Sequence, residues 1–277
     1  MQKIVNIPFV KAIVYGNVFV ALGALAQVFV TYLVFHIPLN YNNKSYLLFV
    51  LLSTYLQYNM QRGIMLMQYH VLSERSNWLR HHKKTLLISI GICLVVILFL
   101  CNTLSYTSIG IMVGAEVLST LYYMQPFNLR RYGYVKPFLI SLIWVISCVT
   151  VPLIENHLLT LNSCWFMSSQ FLFIATLCIL FDIKDADDDY VTGVNTYANK
   201  FGAKITKILA IILMMGSCLC YLFFNQVNQH VALTSIIIGL ITIVSIFFTT
   251  DKRHSFYYYL WLDGLLIVQA ILLLLFN

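Results

Sequence analysis

Residues 163–189 read SCWFMSSQFLFIATLCILFDIKDADDD. The first part is long and apolar enough to cross the hydrocarbon of a bilayer as a helix, which takes about 20 residues. It runs directly into Asp182, Asp185, Asp187, Asp188 and Asp189, half of the ten acidic residues in the chain. If the helix continues, Asp182, Asp185 and Asp189 stand at i, i+3 and i+7, within about 60° of one another on one face. Asp187 and Asp188 then point away. Carboxylates this crowded repel one another and call for a cation. Three along one stripe suit Mg²⁺, a hard ion that takes oxygen ligands and completes its shell with water and substrate phosphates. The alternative is a solvated acidic loop, or a patch paired with Lys184, Lys200 and Lys204. A calcium-binding EF-hand starting at Asp185 fails, because Tyr190 stands where glycine is needed and Thr196 where a bidentate glutamate is needed.

The rest of the chain agrees with a membrane-embedded helix. Of 277 residues, 60% are apolar and 10% charged, and the mean hydropathy is +0.83. This composition excludes a soluble domain. Nine stretches fit a spanning helix: 9–35, 46–70, 84–101, 106–124, 135–154, 162–183, 203–224, 231–250 and 257–276. None alternates as the strands of a membrane barrel do. The expectation is an all-α polytopic protein, a single domain over residues 1–277. Under nine spans nearly every Lys and Arg falls on one side, and only Lys44 on the other. The positive-inside rule puts that basic side, with the N-terminus, in the cytoplasm. Two longer cytoplasmic segments, 71–84 and 182–204, carry the chemically interesting side chains. The net charge of +7 reflects this bias and contact with anionic lipid, and no soluble basic face exists to bind nucleic acid. The seven cysteines contain no CxxC pair and read as packing residues. His81 and His82 lack a third ligand at zinc spacing. Glu116 and Asp263 are acids inside spans: Glu116 reads as a satisfied buried acid, with cavity lining or a bond across helices through Ser119 as the alternatives, and Asp263-Gly264 as a place where helices close together.

The stretch DIKDADDDYVTGVNTYANKFG, residues 182–202, resembles the second aspartate-rich motif of the UbiA superfamily of intramembrane prenyltransferases. Asp182, Asp185, Asp189, Gly193, Thr196 and Gly202 fall on that motif. Residues 123–132, YMQPFNLRRY, continuing to Trp144, are similar to the family's Tyr/Pro and basic-pair stretch. The resemblance implies a nine-helix bundle in which a prenyl diphosphate is held by Mg²⁺ and basic side chains, and its prenyl group passes to a lipophilic acceptor in the bilayer. It implies metal ligation and catalysis by Asp182, Asp185 and Asp189, and diphosphate contacts from Arg130 and Arg131. Segment 71–84 would be a cap over the site.

The chain departs from the family at the first motif, Asn-Asp-x-x-Asp near the end of the second span. Here that region reads QYNMQRG, residues 57–63. Asn59 matches the motif's Asn and is a candidate diphosphate contact, and its acidic partners are missing, so one Mg²⁺ is expected rather than two. Arg62 stands in their place and is the candidate to contact the diphosphate directly. The bland alternatives are an ion pair with Asp182 and snorkelling to the membrane boundary. Lys136 reads as a topogenic charge. The competing function is a non-catalytic relative that binds lipid or a protein partner. A transporter would need ionisable groups through several spans. The expected location is a bacterial plasma membrane with the site facing the cytoplasm.

Overall fold

The computed structural model describes residues 7–68, 74–124, 129, 132–191, 193–224 and 229–276. Among these residues every regular element is helical. In chain order they are α1 (Pro8–Tyr15), α2 (Val18–Val34), α3 (Tyr41–Gln68), α4 (Glu74–His81), α5 (Lys83–Leu100), α6 (Tyr106–Tyr123), α7 (Lys136–Val145) and α8 (Val151–Glu155). There follow α9 (Ser163–Lys184), α10 (Ala186–Val191), α11 (Tyr197–Leu222), α12 (Gln229–Phe248) and α13 (Gly264–Phe276).

Six helical stretches are long and apolar enough to cross a membrane, and a seventh arises if α1 and α2, bent by 61°, form one span. The expected nine is therefore supported by length and composition for seven. The other two expected spans fall on α3 and α6, 28 and 18 residues long, which are not apolar enough to be counted. These helices are less apolar because Ser53, Thr54, Gln57, Gln61 and Arg62 on one, and Glu116 and Ser119 on the other, line an internal cavity. The outer faces are apolar, as a lipid environment requires: Val95, Leu98 and Phe99 of α5 are all more than 60% exposed. The two segments read as loops each contain a short helix, α4 and α10.

Several breaks shape the bundle. Asn17 adopts a left-handed conformation, φ 63°, which Asn tolerates, and ends α1 against α2. The broken turn is braced from α3: Asn59 Nδ2 donates to Gly16 O at 3.1 Å, and Asn17 Nδ2 donates to Asn59 Oδ1 at 3.1 Å. Between α7 and α8 the helix widens into a π turn, Ile146–Thr150. Pro152 has no N–H, so the Cys148 carbonyl four residues earlier lacks its helical donor. Thr31 Oγ1 of α2 supplies one at 2.9 Å, and Tyr46 of α3 donates to Ser147 O at 2.6 Å. A second π turn, Tyr257–Leu262, leads into α13. In a medium without water such carbonyls need protein donors.

Thr31→Val keeps the side-chain volume and removes the donor to Cys148 O. It is expected to destabilise the protein by about 1 kcal/mol. Equilibrium unfolding in mixed micelles checks this, with Thr31→Ser close to wild type.

Candidate functional site

The acidic motif does not continue as one helix. Helix α9 ends at Lys184, Asp185 sits at its C-cap with its N–H on Phe181 O at 3.0 Å, and α10 starts at Ala186. Asp182 and Asp189 are completely buried. Both face the same ammonium: Lys136 Nζ lies 2.7 Å from Asp182 Oδ1 and 3.2 Å from Asp189 Oδ2. Lys136 is the first residue of α7, which aims it at the end of α9. Asp185 turns instead to Lys184, at 2.7 Å. Burial acts to raise the Asp185 carboxyl, but Lys184, then Lys136 and Arg62, outweigh it and hold it below the usual carboxylate range. The stabilisation from that ionised carboxylate is present at neutral pH and is lost as pH falls through the depressed value. Asp187 is exposed.

The downstream residues of the motif set this geometry. Gly193, φ +73°, turns the chain back so that Val194 N–H meets Asp189 O at 2.8 Å. Thr196 and Asn199 form a reciprocal capping box at the start of α11, satisfying two of its free N–H groups. Gly202, φ +79° and ψ 164°, kinks α11 in a conformation closed to other residues. Gly133 closes the other side: a Cβ there would lie 2.3 Å from Asn195 O. The segment leading into Lys136 therefore packs against the turn that follows Asp189.

Beside this cluster lies a cavity of about 280 Å³. Its length is walled by apolar side chains such as Val20, Val50, Ile143, Ile174 and Leu177, and by the rings of Tyr58 and Trp144, whose Nε1 donates to Tyr58 Oη at 3.3 Å. Its charged end carries Arg62, Arg75 and Lys136 together with the carboxylates Asp185 and Asp263, the latter acting on Arg75, and the exposed Glu116 also lines the cavity. Arg75, from α4, donates to Asn17 Oδ1, and its guanidinium lies 4.8 Å from the centre of the Tyr259 ring. Lys184 lies 4.8 Å from the same ring, which the second π turn presents to the cavity. Burial and then the neighbouring Arg62 push the Arg75 guanidinium down to about 10, still charged at neutral pH. Arg75 Nε is buried with no hydrogen-bond partner among the described residues. Three cations against two carboxylates, with one guanidinium donor idle, leave this end with a net positive charge that suits an anion.

The residues expected from sequence divide accordingly. Arg62 lines the cavity and makes no ion pair with Asp182. Asn59 does not line it; its amide is used on Gly16, Tyr55 and Asn17, so it braces the wall behind Arg75. Arg130 and Arg131 lie outside the described residues. Lys136, read as topogenic, is the central cation. Arg75 and Tyr259 carried no sequence signal, because positive-inside bias and aromatic packing already accounted for them. Asp182, Asp185 and Asp189 do not form one three-carboxylate metal site, and no such cluster exists among the described residues. Asp182 Oδ2 is buried without a hydrogen-bond partner among the described residues, which suits a cation. Yet the position bridging Asp182 and Asp189 holds the Lys136 ammonium, which a Mg²⁺ would have to displace. The arrangement does not fit the expected ion.

The model of the UbiA prenyltransferase family matches residues 80–262, about two thirds of the chain. The chain belongs to the UbiA prenyltransferase family. Its fold is similar to an apo structure of a UbiA homolog from Aeropyrum pernix K1, with TM-score 0.62 and 11% identity over 93% of this chain and 96% of that one. It is also similar to a structure from work on digeranylgeranylglyceryl phosphate synthase, with TM-score 0.54 and 15% identity over 96% of each chain. None of the curated proteins compared with the sequence matches it. The family and the apolar helices make this an integral membrane protein.

Lys136→Met leaves two buried carboxylates without their shared ammonium. The variant is expected to lose about 3–5 kcal/mol of stability, and Asp182→Asn in the same background to recover part of it. Unfolding midpoints of the two variants in detergent decide the point.

Proposed function

We propose that the protein transfers a prenyl group from a prenyl diphosphate to a lipophilic acceptor within the membrane. The observation that carries this reading is the polarity of the cavity: an apolar, ring-lined chamber whose one end carries Arg62, Arg75 and Lys136 in excess over Asp185 and Asp263. An isoprenoid tail with a diphosphate head has the matching shape and charge. The guanidiniums would bind phosphate oxygens in bidentate fashion. Their charge counts most on the leaving diphosphate, where it builds as the allylic C–O bond breaks. The faces of Tyr58 and Trp144 would stabilise the developing allylic cation, and the apolar walls would keep water from capturing it. Burial of Asp182 and Asp189 fixes where Lys136 points, so both act on the anion through Lys136. Asp185 lines the same end and balances Lys184.

Location and orientation follow the charges. Arg75 and Lys136 line the diphosphate end, and the positive-inside rule supports a chamber mouth that faces the cytoplasm; a bacterial plasma membrane is the proposed location. A second reading, a lipid-binding relative without catalysis, is favoured by one observation: Lys136 already neutralises the aspartate pair.

Titration of purified protein with geranylgeranyl diphosphate tests the diphosphate site on which the transferase reading rests, and release of diphosphate when a lipophilic acceptor is added separates it from the second reading. The transferase reading expects binding that survives chelation of divalent ions with less than a tenfold loss. It also expects Arg75→Ala to weaken binding by at least tenfold, as loss of about 1.4 kcal/mol or more from a charged hydrogen bond does. Equal affinity for geranylgeraniol and its diphosphate contradicts the reading.

A further inference from the structure

One carboxylate on the chamber wall is committed to no partner. Asp263 follows the second π turn directly, at the head of α13. That turn is pinned on its far side: Tyr257 Oη donates to Ser245 O, Trp261 Nε1 to Ser245 Oγ and Tyr258 Oη to Thr250 O, each at 2.8 Å. With those three rings held there, Tyr259 and Asp263 are left to line the chamber. They stand four residues apart, on one face. The Asp263 N–H reaches back five residues to Tyr258 O at 3.3 Å, the widened bond that marks such turns at many functional sites. Gly23 of α2 holds the segment from behind, where a Cβ would lie 3.2 Å from Leu266 Cδ1.

The other acids near the cations are engaged. Asp182 and Asp189 are sealed around Lys136, and Asp185 is paired with Lys184. Glu116, on α6, is exposed. The Asp263 carboxylate is part-buried and makes no hydrogen bond or ion pair among the described residues. Its charge acts on Arg75 and Lys184 at the charged end, and on Tyr58 and Cys178 along the apolar length. Asp263 therefore stands where the cations give way to the ring-lined chamber. An allylic diphosphate with its phosphates on the cations and its chain among the rings has its scissile C–O bond at that boundary.

We propose that Asp263 is the proton acceptor of the transfer step, an assignment that rests on the transferase reading. The C–O bond to the diphosphate breaks, and its electron pair leaves on the diphosphate. An electron pair on the acceptor's nucleophilic atom forms the new bond to the allylic carbon. The proton carried by that atom passes to the Asp263 carboxylate, whose lone pairs no donor occupies. The plain alternative is a counter-charge to Arg75. The two roles differ in one respect. A counter-charge serves every nucleophile, whereas a base serves only those that must lose a proton.

The test compares two kinds of nucleophile in detergent-purified protein supplied with geranylgeranyl diphosphate. Octan-1-ol and water each lose a proton when prenylated, giving the octyl ether and geranylgeraniol; azide carries none and gives geranylgeranyl azide. Asp263→Asn is expected to slow the two protic products by about 100-fold or more at saturating diphosphate, the usual contribution of a positioned base, while azide formation stays within about threefold of wild type. Asp263→Glu, which keeps the carboxylate, recovers part of the protic rate. Diphosphate binding by Asp263→Asn, no weaker than wild type, reports that the chamber is folded. Equal protic rates in wild type and Asp263→Asn overturn the inference and leave the transferase reading standing. An equal fall in protic and azide products also overturns it, because a counter-charge or a distorted chamber has that effect. A wild type that forms only the azide overturns it as well, since no proton acceptor is then at work. A wild type that binds the diphosphate and forms none of the products removes the transferase reading, and this inference with it.

Discussion

The site depends on one ammonium held between two carboxylates that have no access to water. Lys136 reaches Asp182 at 2.7 Å and Asp189 at 3.2 Å, joining the start of α7 to the end of α9 and to α10. Buried carboxylates without a counter-charge are too costly to persist, so the ammonium fixes where these three segments meet. The close contact of Gly133 with Asn195 and the turn at Gly193 follow from that meeting point. The charged end of the chamber is a second consequence, because Lys136 also lines the cavity beside Arg62 and Arg75.

Much of this was legible in the sequence. The long apolar stretches, the aspartate motif and the placement of Gly193, Thr196 and Gly202 all emerged from spacing and resemblance. The structure gives the last three local jobs: a turn, a helix cap and a kink. The stripe of three aspartates was only partly right. A periodic argument assumes an unbroken helix, and the break at Asp185 turns that carboxylate towards Lys184 while Asp182 and Asp189 meet through a third residue. Lys136 is 46 positions from Asp182, and no local pattern links them. Arg75 and Tyr259 were hidden for a similar reason: one looked like a topogenic charge and the other like one of many rings, and only packing brings them to 4.8 Å. The count of spans shows the converse. Helices α3 and α6 lose hydropathy because their polar side chains line the chamber, so the site itself lowers the membrane signal of the helices that build it.

The departures from regular helix have a common logic. The break at Gly16–Asn17, the π turn before Pro152 and the π turn at Tyr257–Leu262 each free backbone groups that side chains of other helices then satisfy or that re-aim a residue at the cavity. Asn59 shows how such bracing can imitate a functional motif. It holds the position of a motif residue but spends its amide on the wall, placing Asn17 and through it Arg75. The positive charge at this end of the chamber thus comes from protein cations, where the resemblance alone pointed to metal.

The most direct measurement is a structure of the protein bound to geranylgeranyl diphosphate. The account predicts the diphosphate within hydrogen-bonding distance of Arg62, Arg75 and Lys136, with the isoprenoid chain running between α3, α6 and α9 and Asp182 still paired to Lys136. A diphosphate bound elsewhere, or one bridged to Asp182 and Asp189 by metal with Lys136 swung away, would contradict it.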